Sequence, residues 1–135
     1  MADKLHFSLV SPARELFSGE VDHVIAPGTD GEFGVLVNHA PFMTTLKNGV
    51  VRVEDKGETT MRLFVRGGFA DVTPAGLTIL AEEAVNMASL DVEQVQKDMD
   101  ALRQELLAAG KDSPKLLALE EQLSYLESLS AALVS

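Results

Sequence analysis

The sequence predicts two structural units: a β unit over residues 1–88, folded as a sandwich or barrel, and an antiparallel helical hairpin over residues 89–135. Three observations predict this. Apolar residues recur at a spacing of two as far as about Ala81, turn residues interrupt them every few positions, and from Ser89 the spacing changes to three and four. A period of two belongs to strands, whose side chains alternate between faces, and a three-four period belongs to a helix with one apolar stripe.

Leu5, Phe7 and Leu9 open the β unit, followed later by Met61, Leu63 and Val65, and by Leu77 and Ile79. Turn signals fall at Pro12, Ser18-Gly19, Pro27-Gly28, Asn48-Gly49, Asp55-Lys56-Gly57 and Thr73-Pro74-Ala75-Gly76. Asn48-Gly49, between TTLK and VVRV, is the strongest hairpin signal, because a type I′ turn requires positive φ at both central residues. Gly67-Gly68 marks a bulge or a close backbone approach. Arg62-Leu63-Phe64-Val65 carries apolar residues on both faces, as expected where sheet packs on sheet and part of an outer face is covered as well. Many short strands with regular turns make a sandwich or a barrel.

In the second unit Val95, Met99, Leu102 and Leu106 form one stripe, and Leu116, Leu119, Leu123 and Leu126 another. Ser89 or Asp91 caps the first helix, with Gln94 placed to complete a capping box. In the break AGKDSPK, Gly110 ends that helix, Asp112 or Ser113 caps the next and Pro114 opens its first turn. A hairpin of fewer than fifty residues is too small to bury its own stripe and fold alone. The β unit, a second copy or a partner chain must cover it.

The formal net charge is −10 with a pI near 4.6, shared as −5 by each unit, which argues against nucleic-acid binding, since phosphate affinity comes from Lys and Arg. The chain has no cysteine, so disulfides, iron–sulfur clusters and thiolate zinc sites are excluded. MADKLHFSLV has neither the apolar run of a signal peptide nor the Arg-rich pattern of a transit peptide, and no segment has the ~18 apolar residues of a membrane span. The expectation is a cytoplasmic chain that touches a membrane only through another protein.

Residues 28–41, GTDGEFGVLVNHAP, gather three glycines, two carboxylates and a histidine. The stretch lacks the Gly-Lys-Ser/Thr ending of a phosphate loop, the spacing of a dinucleotide fingerprint and the oxygen ligands of a calcium loop. His6, His23 and His39 have no metal-ligand spacing, and no serine sits in a GxSxG elbow. No metal, cofactor or catalytic residue is therefore assigned. Asp30 and Glu32 read as solvated or docking groups. The rival readings are a small hydrolase using His39, Asp30 and Glu32, and a free-standing nucleotide-sensing module.

SPARELFSGEVDHVIAPGTDGEFGVLVNHAPFMTTLKNGVVRV, VRGGFADVT and LTILAEEAV together resemble the ε subunit of bacterial-type F1Fo ATP synthases. The order of Phe-Ser-Gly, Gly-Glu-Phe-Gly, His-Ala-Pro, Gly-Gly-Phe and a Leu-Ala-Glu exit carries the likeness through the β unit; the hairpin matches by position and length. The resemblance implies a ten-stranded β-sandwich followed by a two-helix hairpin, in a noncatalytic rotor subunit on the cytoplasmic face of the bacterial inner membrane. It implies docking to the c-ring through Asp30, Gly31, Glu32 and Phe33, and to the γ subunit through His39, Ala40 and Pro41. An extended hairpin in such proteins reaches the catalytic β subunit and restrains ATP hydrolysis. Here Gln94 and Val95 replace the Arg-Ala of nucleotide-binding members, and the second helical segment has Lys115 as its only basic residue. No nucleotide site and weak or absent inhibition are expected.

Overall fold

The computed structural model describes residues 4–133. The chain divides after Ala88 into two compact units. The first contains ten strands: β1 (Leu5–Val10), β2 (Glu15–Val21), β3 (His23–Gly28), β4 (Gly31–Leu36), β5 (Phe42–Thr45), β6 (Gly49–Asp55), β7 (Glu58–Arg66), β8 (Phe69–Thr73), β9 (Gly76–Leu80) and β10 (Glu83–Asn86). They form two five-stranded sheets, in the orders β2-β1-β9-β8-β5 and β10-β7-β6-β3-β4. The fold is the β-sandwich with two following helices that the resemblance implies.

Alternation builds the core. Phe7 and Leu9 of β1, Val72 of β8, and Leu77 and Ile79 of β9 face Val24, Val35, Val51, Val53, Leu63 and Val65 of the other sheet, all essentially without solvent exposure. The rings of Phe7 and Phe17 lie 5.5 Å apart. Phe64 is buried as well, yet lies outside this cluster, on the opposite face of β7 from Leu63 and Val65. β1 and β9 pair in parallel, Phe7 opposite Leu77. Such a pairing needs a long crossover, and no turn signal announces it.

Three predicted turns fall elsewhere. Asn48-Gly49 is not a hairpin turn: β5 pairs with β8 in one sheet and β6 with β3 and β7 in the other, so the chain crosses between sheets here. Neither residue has positive φ; Gly49 instead makes room for Pro27, whose Cβ would lie 2.9 Å from an added Cβ. The two-residue hairpin turn with positive φ at both positions is Lys56-Gly57, joining the paired strands β6 and β7 (φ 55° and 80°). Ser18-Gly19 lies within β2, with the Phe17 ring over the glycine, 3.3 Å from where a Cβ would stand. Pro27-Gly28 ends β3, and the turn follows at Thr29-Asp30. The close approach at Gly67-Gly68 is present: a Cβ on Gly68 would meet the Leu80 carbonyl.

The second unit contains α1 (Val92–Ala109) and α2 (Leu116–Leu133). Asp91 caps α1, its carboxylate accepting from the Glu93 N–H at 2.9 Å. Gln94 does not complete a capping box: its amide donates forward to Asp98, 2.9 Å away and one turn on. Gly110 ends α1 with φ 74°, and the Ser113 hydroxyl accepts from the Lys115 N–H ahead of α2. Gln96, near the start of α1, donates to the buried Ser130 hydroxyl near the end of α2 at 2.9 Å, which makes the pair antiparallel. Val95, Met99 and Leu102 are buried, with Leu106 half-buried. On α2 the row from Leu116 to Leu126 is half-buried, and Tyr125 and Leu129 are the buried apolar anchors.

Candidate docking surface

The stretch that drew attention in the sequence spans the β3–β4 hairpin and the loop after it. β3 and β4 are paired from His23↔Leu36 to Gly28↔Gly31, leaving Thr29 and Asp30 as a two-residue apex. A Cβ on Gly28 would stand 2.7 Å from the Gly31 carbonyl oxygen and 3.0 Å from the Phe33 ring, so glycine here serves a tight backbone approach. The apex is fixed to its neighbour in space. The Thr29 N–H donates to the Thr45 carbonyl at 3.1 Å, the two threonine hydroxyls are 2.9 Å apart, and the Lys47 N–H donates to the Pro27 carbonyl at 3.0 Å. Phe33 turns inward, edge-on to Phe42 with ring centres 5.3 Å apart.

Asp30 and Glu32 differ in situation. Asp30 is exposed at the apex and forms no ion pair among the described residues. Glu32 already lies on β4, opposite Pro27, and its two carboxylate oxygens accept from Nη2 and Nη1 of Arg52 at 3.1 and 3.3 Å. Arg52 was not singled out by the sequence. It lies two strands away on β6, and only the register Gly34↔Ile25↔Arg52 brings it within reach.

His39 sits past the other end of β4. Six residues of strand at about 3.3 Å each separate the two ends by roughly 17 Å, so His39 cannot act in concert with Asp30 and Glu32, and the three-residue hydrolase arrangement is not assembled. The loop turns through Asn38, whose φ is 67°, and the His39 N–H donates to the Leu36 carbonyl at 3.2 Å. The imidazole Nδ1 lies 2.8 Å from the Ala40 carbonyl oxygen, and the ring leans on Phe42. Beside it opens a cleft of about 460 Å³, lined by Lys4, His6, Glu20, Leu36, His39 and Gly76 among others.

One arrangement resembles a hydrolytic triad. His6 on β1 has Ser8 Oγ 3.4 Å from Nε2 and Glu20 Oε1 3.4 Å from Nδ1. Both contacts exceed the ~2.6–3.2 Å at which a base takes a proton. The histidine and glutamate side chains are about half exposed, so water screens them. These are register neighbours on an outer sheet face, His6 opposite Glu20. Among the described residues no group of three or more histidines or carboxylates is placed to hold a metal.

Two pKa shifts belong to a clasp elsewhere. The Lys56 N–H donates to Asp22 Oδ2 at 2.7 Å and holds that carboxyl below its usual range, with Lys4, 3.2 Å away, adding to the effect. Lys4 is raised in turn by its hydrogen bonds to Asp22 and Asp55. The Asp22 N–H also donates to Asp55 at 2.9 Å, so the clasp joins the β2–β3 corner to the β6–β7 turn.

An outer face completes the surface. The register Thr45↔Phe69↔Leu80 puts Met43, Phe69 and Leu80 on the outside of one sheet, exposed by 64, 38 and 40%. Together they make an exposed apolar group on that face.

The family model for the β-sandwich domain of the ATP synthase delta/epsilon chain matches residues 4–87. The chain belongs to the ATP synthase delta/epsilon family. An ATP synthase epsilon chain from Hyphomonas neptunium is 64% identical over 135 residues, all of both chains. Another, from Caulobacter vibrioides, is 69% identical over 85 residues, which make up 63% of this chain and 98% of that protein. In a complex of OSCP, F1 and c-ring from the Euglena gracilis mitochondrial ATP synthase, one chain superposes with a TM-score of 0.77 at 25% identity, over 98% of this chain and 83% of its own. Members of the family are noncatalytic subunits. Among the described residues no helix is long and apolar enough to cross a membrane.

Proposed function

We propose that this chain is a central-stalk subunit of an F1Fo ATP synthase and couples the γ subunit to the c-ring in proton-driven ATP synthesis. It works on the cytoplasmic face of the bacterial inner membrane, held there by its partners. The observation that supports the reading is that two exposed segments of one sandwich stand apart: the braced β3–β4 hairpin at one end of β4, and His39, Ala40 and Pro41 beyond the other. A body that passes torque needs two such regions on an unyielding frame. In this reading Asp30, Gly31 and Glu32 meet the ring with Phe33 packed behind them on Phe42, and His39-Ala40-Pro41, with Met43 of the adjoining apolar face, meets γ.

The same reading makes the hairpin a weak inhibitor or none. Its charge is −5, and α2 from Leu116 to Leu133 contains no basic residue, so that helix has nothing to pair with an acidic catalytic subunit. Position 94 carries glutamine, committed to Asp98, where nucleotide binding would require arginine. That the Caulobacter vibrioides relative is nearly spanned by 85 aligned residues, a length the sandwich alone supplies, supports a dispensable hairpin.

Isolation of the tagged chain from gently solubilised native membranes, followed by mass spectrometry, tests the proposal. Co-recovery of γ, the catalytic head and the c-ring is expected. Repeated recovery of the chain alone would refute it.

A further inference from the structure

The chain has no cysteine, so its sulfur chemistry rests on five methionines. Four of them lie among the described residues. Met87 and Met99 are buried, and Met61 is half-buried against the sandwich core. Met43 differs: at 64% it is the most exposed large apolar side chain of the β unit among the described residues. It stands on β5, the last strand of its sheet.

Register fixes what surrounds the thioether. Met43 is opposite Asp71 on β8, and Phe69, two residues along β8 on the same face, is its diagonal neighbour. Diagonal residues of an antiparallel pair lie about 7–8 Å apart, within reach of a long side chain. Leu80 follows opposite Phe69 on β9. In this apolar group the thioether is the one part that a mild oxidant alters, since phenyl and isobutyl groups are inert to hydroperoxides. The reaction is an oxygen transfer. A sulfur lone pair attacks the terminal peroxide oxygen, the O–O bond breaks, and the proton passes to the departing oxygen. Sulfur is oxidised by two electrons, and the hydroperoxide is reduced to an alcohol, or to water when it is hydrogen peroxide. The product is a sulfoxide, polar and a hydrogen-bond acceptor. Two thiols reverse the step, releasing the oxygen as water and forming a disulfide between themselves.

We propose that Met43 is an oxidation site for hydroperoxides that controls whether the free chain can be assembled. As a thioether it belongs to an apolar group that γ covers; as a sulfoxide it sets an unpartnered polar group in that contact. This rests on the reading that the face carrying Met43 meets γ. Assembly closes the site to oxidant, so the control acts on the chain before it is built in.

The test treats the free full chain and the assembled enzyme with hydrogen peroxide, maps the added oxygen by peptide mass spectrometry, and measures rebinding of the treated chain to F1 depleted of it. In the free chain Met43 should be oxidised several-fold faster than Met61, Met87 and Met99, which catch up only when urea unfolds the chain. Rebinding should weaken about tenfold, the scale of burying an unpartnered polar group, and methionine sulfoxide reductase with a dithiol should restore it. Met43→Leu should rebind like the parent before and after peroxide, which also controls for Met1, outside the described residues. Met43→Gln, polar without oxidation, should rebind weakly from the start. Oxidation of the buried methionines as fast as Met43 would overturn the proposal. So would full rebinding of the chain with Met43 oxidised, if Phe69→Gln weakens rebinding and so shows that the face is used. Equal oxidation of Met43 in the free chain and in the assembled enzyme, with rebinding unchanged in Phe69→Gln as well, would overturn the reading that this face meets γ, and the control of assembly with it, while the selective oxidation would stand.

Discussion

Replacing Gly68 by alanine tests whether close backbone approach, rather than loop flexibility, explains the glycine pair between β7 and β8. Gly68 has φ 108°, and a Cβ there would lie 2.0 Å from the Leu80 carbonyl oxygen and 2.8 Å from Ala81 Cα. Real Cβ contacts stay above 3.0 Å, so the end of β9 must move by about 1 Å. That shift strains two backbone bonds at the crossing, from the Leu46 N–H to the Gly68 carbonyl (2.8 Å) and from the Ala81 N–H to the Val10 carbonyl (2.9 Å). With about 1–2 kcal/mol for the left-handed backbone and about 1 kcal/mol for each bond, the loss is about 3–4 kcal/mol. In a domain of this size that lowers the melting temperature by at least about 12 °C. Gly57 is the internal control, since its φ is also positive (80°) but nothing lies within 4 Å. Gly57→Ala should cost about 1 kcal/mol, or roughly 4–8 °C. Melting followed through NMR signals of core methyls such as those of Leu9 and Val65 reports on the β unit alone. Equal shifts for the two variants would refute the argument from close approach.

Deleting residues 89–135 should leave assembly and proton-coupled synthesis largely intact and change ATP hydrolysis little; a several-fold rise in hydrolysis by the reconstituted enzyme would contradict the weak-arm reading. Calorimetric titration of the chain with Mg-ATP should give no binding heat at micromolar concentrations, and saturable binding there would show that Gln94 does not abolish a nucleotide site. Because the folded-state pKa of Asp22 is depressed below 3.8, its ionised form stabilises the fold above that pH and the contribution is lost as pH falls through the lower folded value. Asp22→Asn should therefore flatten the dependence of the urea midpoint on pH below about 4. An acid limb as steep as in the parent chain would assign acid sensitivity to other carboxylates. Lys4 acts in the opposite sense, its raised pKa giving stability that is present below 10.5 and lost only as pH rises through the higher folded value.

What the sequence by itself determined was what depends on neighbours along the chain. Leu5, Phe7 and Leu9 declare an inward strand face, Asp91 and Gly110 bound a helix, and the change of period near Ser89 separates the units, because side-chain direction, capping and φ preference are local properties. The likeness of residues 4–87 to the family was legible for the same reason, as motifs in a fixed order. The tertiary structure decided everything that depends on which strand lies beside which. Asn48-Gly49 carries a strong hairpin signal, yet the chain uses it to cross between sheets, because the register that buries Leu46, Val51 and Val53 outweighs a turn preference of the order of 1 kcal/mol. Glu32 and Asp30 look equivalent in GTDGEFG. Only the pairing of β6 with β3, which joins residues 25 and 52, gives one of them an arginine and leaves the other facing solvent. A strand's period fixes which face a residue takes but not its neighbours across the sheet, and ion pairs are made between neighbours.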